Sequence, residues 1–384
     1  MIPDVFRTVS LTEDSWIDLF VDCMLANRPT LLPKEFTEDW QSRMEWSEGG
    51  RPTLKTMVKS FGHLRVPVVN DKDHCNYEEM RLDDFARYFE NKDEGHRNAR
   101  LLYAKDWHFQ LETRSVPYKL PTFLQSDWFN NESKSFVGDY RFVYVGVEGT
   151  WTKFHCDVMN SYSWSANICG KKRWYFVPPG GEEHFRSGRD EFVADLREYR
   201  DRWRDAGVVE LIQEAGQIVF VPSSWYHQVH NMEDTISINH NFINASNIDR
   251  VVRAVLHRMS EVVAEIEDSR SCFGEEEFAE QVQLVLKSDI RVDIPTLKAF
   301  LEYLIADRSG RATFCSICTR HVNVFECKDN ANCLQLAKRA WKKNCSCGPV
   351  CGSDEMCENC REWFVGYELS CCIEALRMIE NIRV

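Results

Sequence analysis

The chain has 384 residues, of which 43% are hydrophobic and 12% aromatic, and its formal net charge is −13. These values are typical of a folded globular protein with a sizeable core and two or three structural units, and they exclude a disordered chain. The excess of acidic side chains argues against direct binding to nucleic acid or to an anionic membrane. It leaves room for a basic protein partner, but solubility alone explains it better.

The amino-terminal residues contain no basic region followed by an apolar run, so the sequence predicts no signal peptide. No stretch is apolar for long enough to span a bilayer. We therefore expect a soluble cytoplasmic protein, although the pattern does not exclude the nucleus. In such compartments cysteines are reduced thiols or metal ligands rather than disulfides.

Residues 1–100 are expected to form a mixed α/β segment that packs on the core. Helical and strand-like periods alternate along it. The predicted helices are 12–26, 54–61 and 82–90, and the predicted strands follow a turn within 27–32 and occupy 64–69.

Residues 101–248 are expected to form the core, because from about residue 138 the apolar side chains recur with a period of two. After a short strand at 101–104, the predicted strands are 140–145, 162–169, 173–177, 217–221 and 235–242. Short strands separated by turns favour an antiparallel β-sandwich or barrel. A dense mix of charges interrupts them at 182–207, where we expect a solvated helical insertion.

Two further segments follow the predicted core. Residues 249–309 have a helical period, and their helices can pack on the barrel or on a second copy, which leaves a homodimer open. Residues 310–384 form a cysteine-rich extension, since eleven of the 16 cysteines lie between Cys315 and Cys372.

Two cysteine pairs in this extension, Cys315-x-x-Cys318 and Cys357-x-x-Cys360, have the spacing of metal ligands. Together they can form one tetrahedral, structural Zn(II) site, which we favour slightly. The alternative is a helical appendage with buried thiols, and the cysteine doublet that begins at Cys371 fits this alternative better.

Three residues of the predicted barrel form a potential metal site. His155 and Asp157 are two positions apart, so on a strand their side chains point to the same face. His227 follows the predicted strand 217–221, and closure of a barrel can bring it to the other two. Two histidines and one carboxylate form the facial triad of non-haem Fe(II) oxygenases. The pair alone would be a weak signal, because a histidine beside a surface acid is common.

Lys172 lies one predicted strand beyond the first two of these residues. An acidic cosubstrate such as 2-oxoglutarate has a far carboxylate that must be paired in a desolvated pocket, and Lys172 is the candidate for this role. The alternative is that Lys171, Lys172 and Arg173 form a basic turn.

These residues, with the run Ala215–His227 and the strand 235–239, resemble the jumonji C (JmjC) family of Fe(II)/2-oxoglutarate oxygenases. The resemblance covers most of residues 1–306. It implies an α+β fold whose core is a double-stranded β-helix, a cupin-like jelly roll, with flanking helices.

The resemblance also implies roles for individual residues. His155, Asp157 and His227 match the iron ligands, and Lys172 matches the lysine that pairs with the C5 carboxylate of 2-oxoglutarate. Three further residues match positions that contact this cosubstrate, although packing in the barrel interior explains each of them nearly as well: Thr152, Tyr103 and Asn239. Ascorbate is the expected reductant.

The function implied is hydroxylation of a protein, with a lysine of the eukaryotic translation-termination release factor as the expected substrate. A JmjC lysine demethylase and a catalytically inactive binding module are the alternatives. The intact triad and Lys172 argue against an inactive module, and the lack of a recognisable chromatin reader favours hydroxylation.

Other residues near the predicted site are given different roles. His230 and His240 should point away from the metal, because their spacing from His227 and Asn239 puts them on opposite strand faces. A substrate lysine needs an acid or an aromatic face, and the candidates for this wall are Asp106, Trp107 and Trp151.

Overall fold

The computed structural model describes residues 5–9, 16–70, 73–91, 100–131, 138–188, 191–311 and 358–381. The strands are β1 Arg7–Thr8, β2 Thr30–Leu32, β3 Ser47–Glu48, β4 Arg51–Pro52, β5 Arg65–Asn70, β6 Asp73–Arg81, β7 Leu102–Trp107, β8 Arg141–Gly146, β9 Trp151–His155, β10 Tyr162–Cys169, β11 Lys172–Val177, β12 Val209–Gln213, β13 Ile218–Val221, β14 Tyr226–Asn231 and β15 Thr235–Phe242. The α-helices are α1 Trp16–Leu19, α2 Gln41–Glu45, α3 Lys55–Phe61, α4 Leu82–Glu90, α5 Phe109–Thr113, α6 Trp203–Ala206, α7 Ile248–Ile266, α8 Glu275–Ile290, α9 Ile294–Arg311 and α10 Glu358–Glu380. Phe20–Leu25 is a π-helical turn.

Two sheets dominate the architecture. The large sheet has the strand order β1-β2-β13-β10-β15-β8-β7-β5-β6, and the small sheet has the order β12-β11-β14-β9. All neighbours are antiparallel except β1 and β2. Side chains from both sheets line one cavity, which therefore lies between them. The expected α+β fold with a jelly-roll core is confirmed.

The amino-terminal segment packs on the core by lengthening its large sheet at both ends. On one side β2 pairs with β13, and on the other β5 pairs with β7. The main hydrophobic core is continuous from this segment into the central strands, since Trp40, Phe85 and Trp164 belong to one buried cluster. The segment is thus integrated with the core at the level of backbone hydrogen bonds.

The charged segment 182–207 differs from the solvated helix that we predicted. It consists of 3₁₀ turns at Gly181–Phe185 and Leu196–Arg202 followed by the short helix α6. Phe185 and Leu196 are fully buried against Phe154 and Tyr175 on the outer face of the small sheet. The sequence prediction gave weight to the many charged residues and overlooked these apolar side chains, which pack the segment onto the sheet.

The carboxy-terminal helix α10 packs against α7 and α9. Cys371 and Cys372 are fully buried in this packing, as expected for a doublet in an apolar helical run. Three of the proposed zinc ligands and the side chain of the fourth, Cys360, lie outside the described residues. Within the described ranges, no helix is long and apolar enough to cross a membrane.

Candidate active site

One cavity of about 330 Å³ contains every residue that the sequence assigned to the iron and cosubstrate site. The small sheet lines it with Thr152, His155, Lys172, Trp174, His227 and Val229. The large sheet lines it with Tyr103, Lys105, Asp106, Phe142, Tyr144, Ser163, Ser165, Asn239 and Asn241, and Tyr140, just before β8, adds to this wall. Most of these residues alternate along their strands, because every second side chain faces inward. Cys156, Asp157 and Val158 complete the lining where β9 ends.

The two histidines meet through strand pairing. β9 and β14 are antiparallel neighbours, and His155 lies directly opposite His227, with ring centroids 4.3 Å apart. Asp157 lies two residues beyond the end of β9, in extended backbone. One ligating atom from each of the three side chains lies within 4.8 Å of the others. Residues 70 positions apart in sequence thus form one cluster of two nitrogens and one oxygen.

Hydrogen bonds orient both imidazoles. His155 Nδ1 lies 2.7 Å from the Lys153 carbonyl oxygen, and His227 Nδ1 lies 3.1 Å from the Trp225 carbonyl oxygen. Since a carbonyl can only accept, each Nδ1 donates, and each Nε2 keeps its lone pair for a metal. Burial lowers the pKa of His155 to about 4, and the adjacent His227 ring contributes to the shift. His155 is therefore neutral at physiological pH, as a ligand must be.

Two neighbours hold the Asp157 carboxylate, and the sequence had singled out neither of them. Ser163 Oγ donates to Oδ2 over 2.7 Å, and Asn241 Nδ2 donates to Oδ1 over 2.8 Å. Ser163 and Asn241 are paired residues on β10 and β15. Their signal was the recurrence of polar residues two apart within otherwise apolar strands, which marks an inward face that is not part of the core.

Lys172 is a buried lysine to which the described residues offer no counter-charge. Its side chain is only 1% exposed, and burial lowers its pKa to about 7. Across the described residues, no acidic group forms an ion pair with it and no acceptor binds its ammonium. Tyr103 and Thr152 line the same cavity as Lys172. An anion that enters this cavity can pair with Lys172 in a desolvated setting.

The remaining predictions for the site differ in outcome. His230 stacks on Trp151 with ring centroids 5.5 Å apart, and His240 lies against Trp164 at 4.2 Å, so both point away from the triad as predicted. The prediction for Trp107 was wrong, because it is fully buried in the main core. Trp151 is also absent from the cavity lining. It lies opposite His230 on the neighbouring strand, and the two rings stack on the outer face of the sheet. Of the three candidate wall residues, Asp106 alone lines the cavity.

The donor set fits a single divalent iron. Two imidazoles and a carboxylate that face one cavity would hold such an ion, and the cavity leaves room beside it for further ligands. Lys172 fits the far carboxylate of 2-oxoglutarate, because an anion would compensate its buried charge. The fold and the site together define a mononuclear non-haem metal centre of the cupin type.

Comparison with known proteins gives the particular family. A family model described as "JmjC domain, hydroxylase" matches residues 142–242. The chain is 37% identical over 313 residues to "2-oxoglutarate and iron-dependent oxygenase JMJD4" of Danio rerio, covering 75% of this chain and 72% of the relative. The human protein of the same name is 34% identical over 314 residues, covering 77% and 74%. The chain therefore belongs to the JmjC family.

Another relative is named for a different activity. "Arginine-specific demethylase JMJ20" of Arabidopsis thaliana is 39% identical over 281 residues, covering 65% of this chain and 60% of the relative. The family thus includes similar sequences named as an oxygenase and as a demethylase. Family membership alone does not choose between these reactions.

Proposed function

We propose that this chain is an Fe(II)- and 2-oxoglutarate-dependent protein hydroxylase that modifies a lysyl residue of the eukaryotic translation-termination release factor. The observation that carries the oxygenase assignment is the presence of two different sites in one cavity. The cluster of His155, Asp157 and His227 suits iron, and the uncompensated Lys172 suits a dicarboxylate. A binding module would need neither of them.

In this proposal each residue has a defined task. His155, Asp157 and His227 hold Fe(II), and Lys172 pairs with the C5 carboxylate of 2-oxoglutarate. Tyr103, Thr152 and Asn239 are proposed as further polar contacts to the cosubstrate; Asn239 also accepts a hydrogen bond from Ser165 over 3.0 Å. When bound, the iron and 2-oxoglutarate supply the oxidative chemistry that inserts one oxygen atom of O2 into a C–H bond, with ascorbate keeping the iron reduced.

The protein prepares the site before any ligand enters. Ser163 and Asn241 fix the carboxylate of Asp157, and backbone carbonyls fix the tautomers of the two histidines. Ligands held in this way need little rearrangement to bind a metal. The buried walls exclude water around Lys172, so its pairing with a carboxylate is stronger than on a surface.

The lysyl substrate rests on the resemblance of the sequence to JmjC hydroxylases, and two properties of the chain suit it. The net charge of −13 favours a basic partner. A cavity of about 330 Å³ is large enough for a cosubstrate and one extended side chain, but too small for a folded segment. The release factor would therefore present a single side chain from an exposed loop. We place this reaction in the cytoplasm.

A second candidate is demethylation, which is favoured by the name of the Arabidopsis relative. Oxidation of an N-methyl carbon gives an unstable product that loses formaldehyde. The same metal and the same cosubstrate serve both reactions, so the product is what distinguishes them.

The test is intact-mass analysis of a release-factor fragment incubated with the protein, Fe(II), 2-oxoglutarate and ascorbate. We expect the fragment to gain one oxygen atom, and we expect His155→Ala to abolish the gain. His257→Ala is the matched control, because His257 is on the solvent-exposed face of α7 with its side chain 79% accessible.

The other outcomes separate the alternatives. Turnover of 2-oxoglutarate that requires His155, without modification of the fragment, would keep the oxygenase and discard the substrate. Loss of a methyl group with release of formaldehyde from a methylated peptide would favour the demethylase. No turnover by protein that holds iron would favour the binding module.

A further inference from the structure

Asp106 lies in the cavity because of an irregularity in strand β7. Against β8, Ala104 pairs with Val145 and Trp107 pairs with Val143, so Lys105 and Asp106 together oppose the single residue Tyr144. This is a β-bulge, a device that redirects a side chain beside an active site. Asp106 has a φ of +60°, a conformation that aspartate and asparagine tolerate better than other residues with a side chain.

Two tyrosines fix the carboxylate of Asp106. Tyr144 Oη donates to Oδ1 over 2.5 Å, and Tyr77 Oη donates to Oδ2. Both oxygens are acceptors, as in an ionised carboxylate. The hydroxyl of Tyr144 is a reliable donor, because burial, together with the nearby Asp106, raises its pKa well above the ordinary value.

The charge of Asp106 has no cationic partner within the described ranges, where no lysine, arginine or histidine forms an ion pair with it. The adjacent Lys105 also lines the cavity, and its ammonium forms no ion pair with Asp106 in the described part of the chain. Phe142 and Tyr144 stand beside Asp106 with ring centroids 6.2 Å apart and line the cavity with it. Their faces suit an aliphatic chain that ends in a cation.

We propose that Asp106 receives the ammonium group of the substrate side chain and selects a lysyl substrate by its charge. The small sheet carries His155 and His227, whereas Asp106 belongs to the large sheet that faces it. A substrate side chain would therefore be held by its charged end on one wall and oxidised from the other. This inference rests on the proposed function and deepens it.

A purely structural role for Asp106 is the competing explanation, since the carboxylate also ties Tyr77 to Tyr144. The two roles differ in one measurable respect. If Asp106 only links the strands, its loss should affect folding or the affinity for 2-oxoglutarate. If Asp106 binds the substrate, its loss should reduce the preference for charged over neutral ligands. Asp106→Asn separates them, because asparagine keeps the size, the backbone conformation and one acceptor.

The first experiment uses n-butylammonium, the side chain of lysine as a free ligand, and 1-butanol as its neutral counterpart. Binding is measured by ligand-observed NMR with the full chain loaded with 2-oxoglutarate and with Zn(II) as a redox-inactive substitute for iron. We expect the wild-type protein to prefer the ammonium by about tenfold or more, and Asp106→Asn to lose this preference. Asp84→Asn is the matched control, since Asp84 is an acid on α4 paired with Arg87 at the surface.

Two results would overturn the inference: an ammonium preference that survives in Asp106→Asn, or a wild-type protein with no such preference. The affinity of both variants for 2-oxoglutarate should stay at the wild-type value. A large loss of that affinity in Asp106→Asn alone would show the structural role instead.

A second experiment keeps this inference distinct from the substrate assignment. Release-factor fragments carrying lysine or norleucine at the target position are compared with the wild-type protein and Asp106→Asn. If the ammonium preference depends on Asp106 but neither fragment is modified, only the release factor is the wrong substrate. If the lysine fragment is modified equally well by both proteins, only the role of Asp106 is wrong.

Discussion

Two buried charged groups in this molecule differ in how their charge is balanced. In the cavity, Lys172 is 1% exposed and no acidic side chain of the described residues pairs with it. Beneath the carboxy-terminal helix, Arg308 and Glu368 are 4% and 6% exposed and form an ion pair of 3.1 Å. Glu368 also accepts hydrogen bonds from Ser126 and from the Trp128 indole.

This difference in charge balance indicates where the protein can bind a ligand. Burial of an ion costs several kcal/mol, and this cost is offset only by a partner of opposite charge with good geometry. At Arg308 the partner belongs to the same chain, so the pair anchors α10 and requires nothing else. At Lys172 the cost is not offset within the described protein, and an incoming anion can offset it. An uncompensated buried charge in a cavity is thus better evidence of function than burial alone.

Replacement of Lys172 with methionine sharpens this comparison most. We expect the affinity for 2-oxoglutarate to fall by at least about a hundredfold, because its carboxylate would be buried without a cation. The apo protein should be as stable as the wild type or more stable, since an unpaired buried charge is removed. Calorimetric titration and urea unfolding measure the two quantities. Lys171→Met is the control, because Lys171 is partly exposed and pairs with Glu214.

Replacement of Arg308 with methionine should have the opposite pattern. Glu368 would keep its charge without its cation, so we expect the free energy of unfolding to fall by about 3–5 kcal/mol. The affinity of the folded protein for 2-oxoglutarate should be unchanged. Adding Glu368→Leu should restore much of the stability. A double variant that is as unstable as the sum of the two single variants would contradict the role of the pair.

A smaller effect is expected from Asn241→Ala. This change removes the donor to Asp157 Oδ1 and should lower the affinity for a divalent metal by about tenfold to a hundredfold. Asn239→Ala is a matched control on the same strand, since Asn239 contacts Ser165 rather than Asp157. Metal titration without 2-oxoglutarate compares the variants. Equal losses would show that the strand, and not the contact with Asp157, holds the site together.

The ligand cluster and much of the sheet could be predicted from sequence because both follow from the alternation of side chains along strands. Residues i and i+2 of an extended chain share a face, so His155 and Asp157 could be placed together even though β9 ends at His155. The predicted strands 162–169 and 235–242 coincide with the observed β10 and β15. The prediction that His227 joins them required the strands to close into a barrel. In the structure, the pairing of β14 with β9 brings His227 opposite His155.

Other features depend on contacts that no local pattern encodes. The sequence did not predict β12, because its residues follow a highly charged segment and pair only with β11. The bulge that turns Asp106 into the cavity is a difference in register between two strands, which is visible only when both are placed. Trp107 was assigned to the cavity because aromatic side chains often line a substrate pocket. The bulge shifts the alternation of side chains along β7, and Trp107 is buried in the main core. Register, rather than composition, limits such predictions.

The last effect that we predict is a gradual change with pH, and it again depends on Lys172. Its pKa is lowered to about 7 in the folded apo protein, whereas an unfolded lysine titrates near its ordinary value. Between these two values the unfolded chain binds more protons, so the stability of the apo protein should rise with pH from about 7 toward 10. Over the same interval the affinity for 2-oxoglutarate should fall by up to about tenfold per pH unit, because the folded protein must take up a proton to bind the dianion. Lys172→Met should remove both slopes and Lys171→Met should keep them. If both slopes persist in Lys172→Met, another group is responsible, and the cavity would not contain the titrating cation that the buried, unpaired lysine implies.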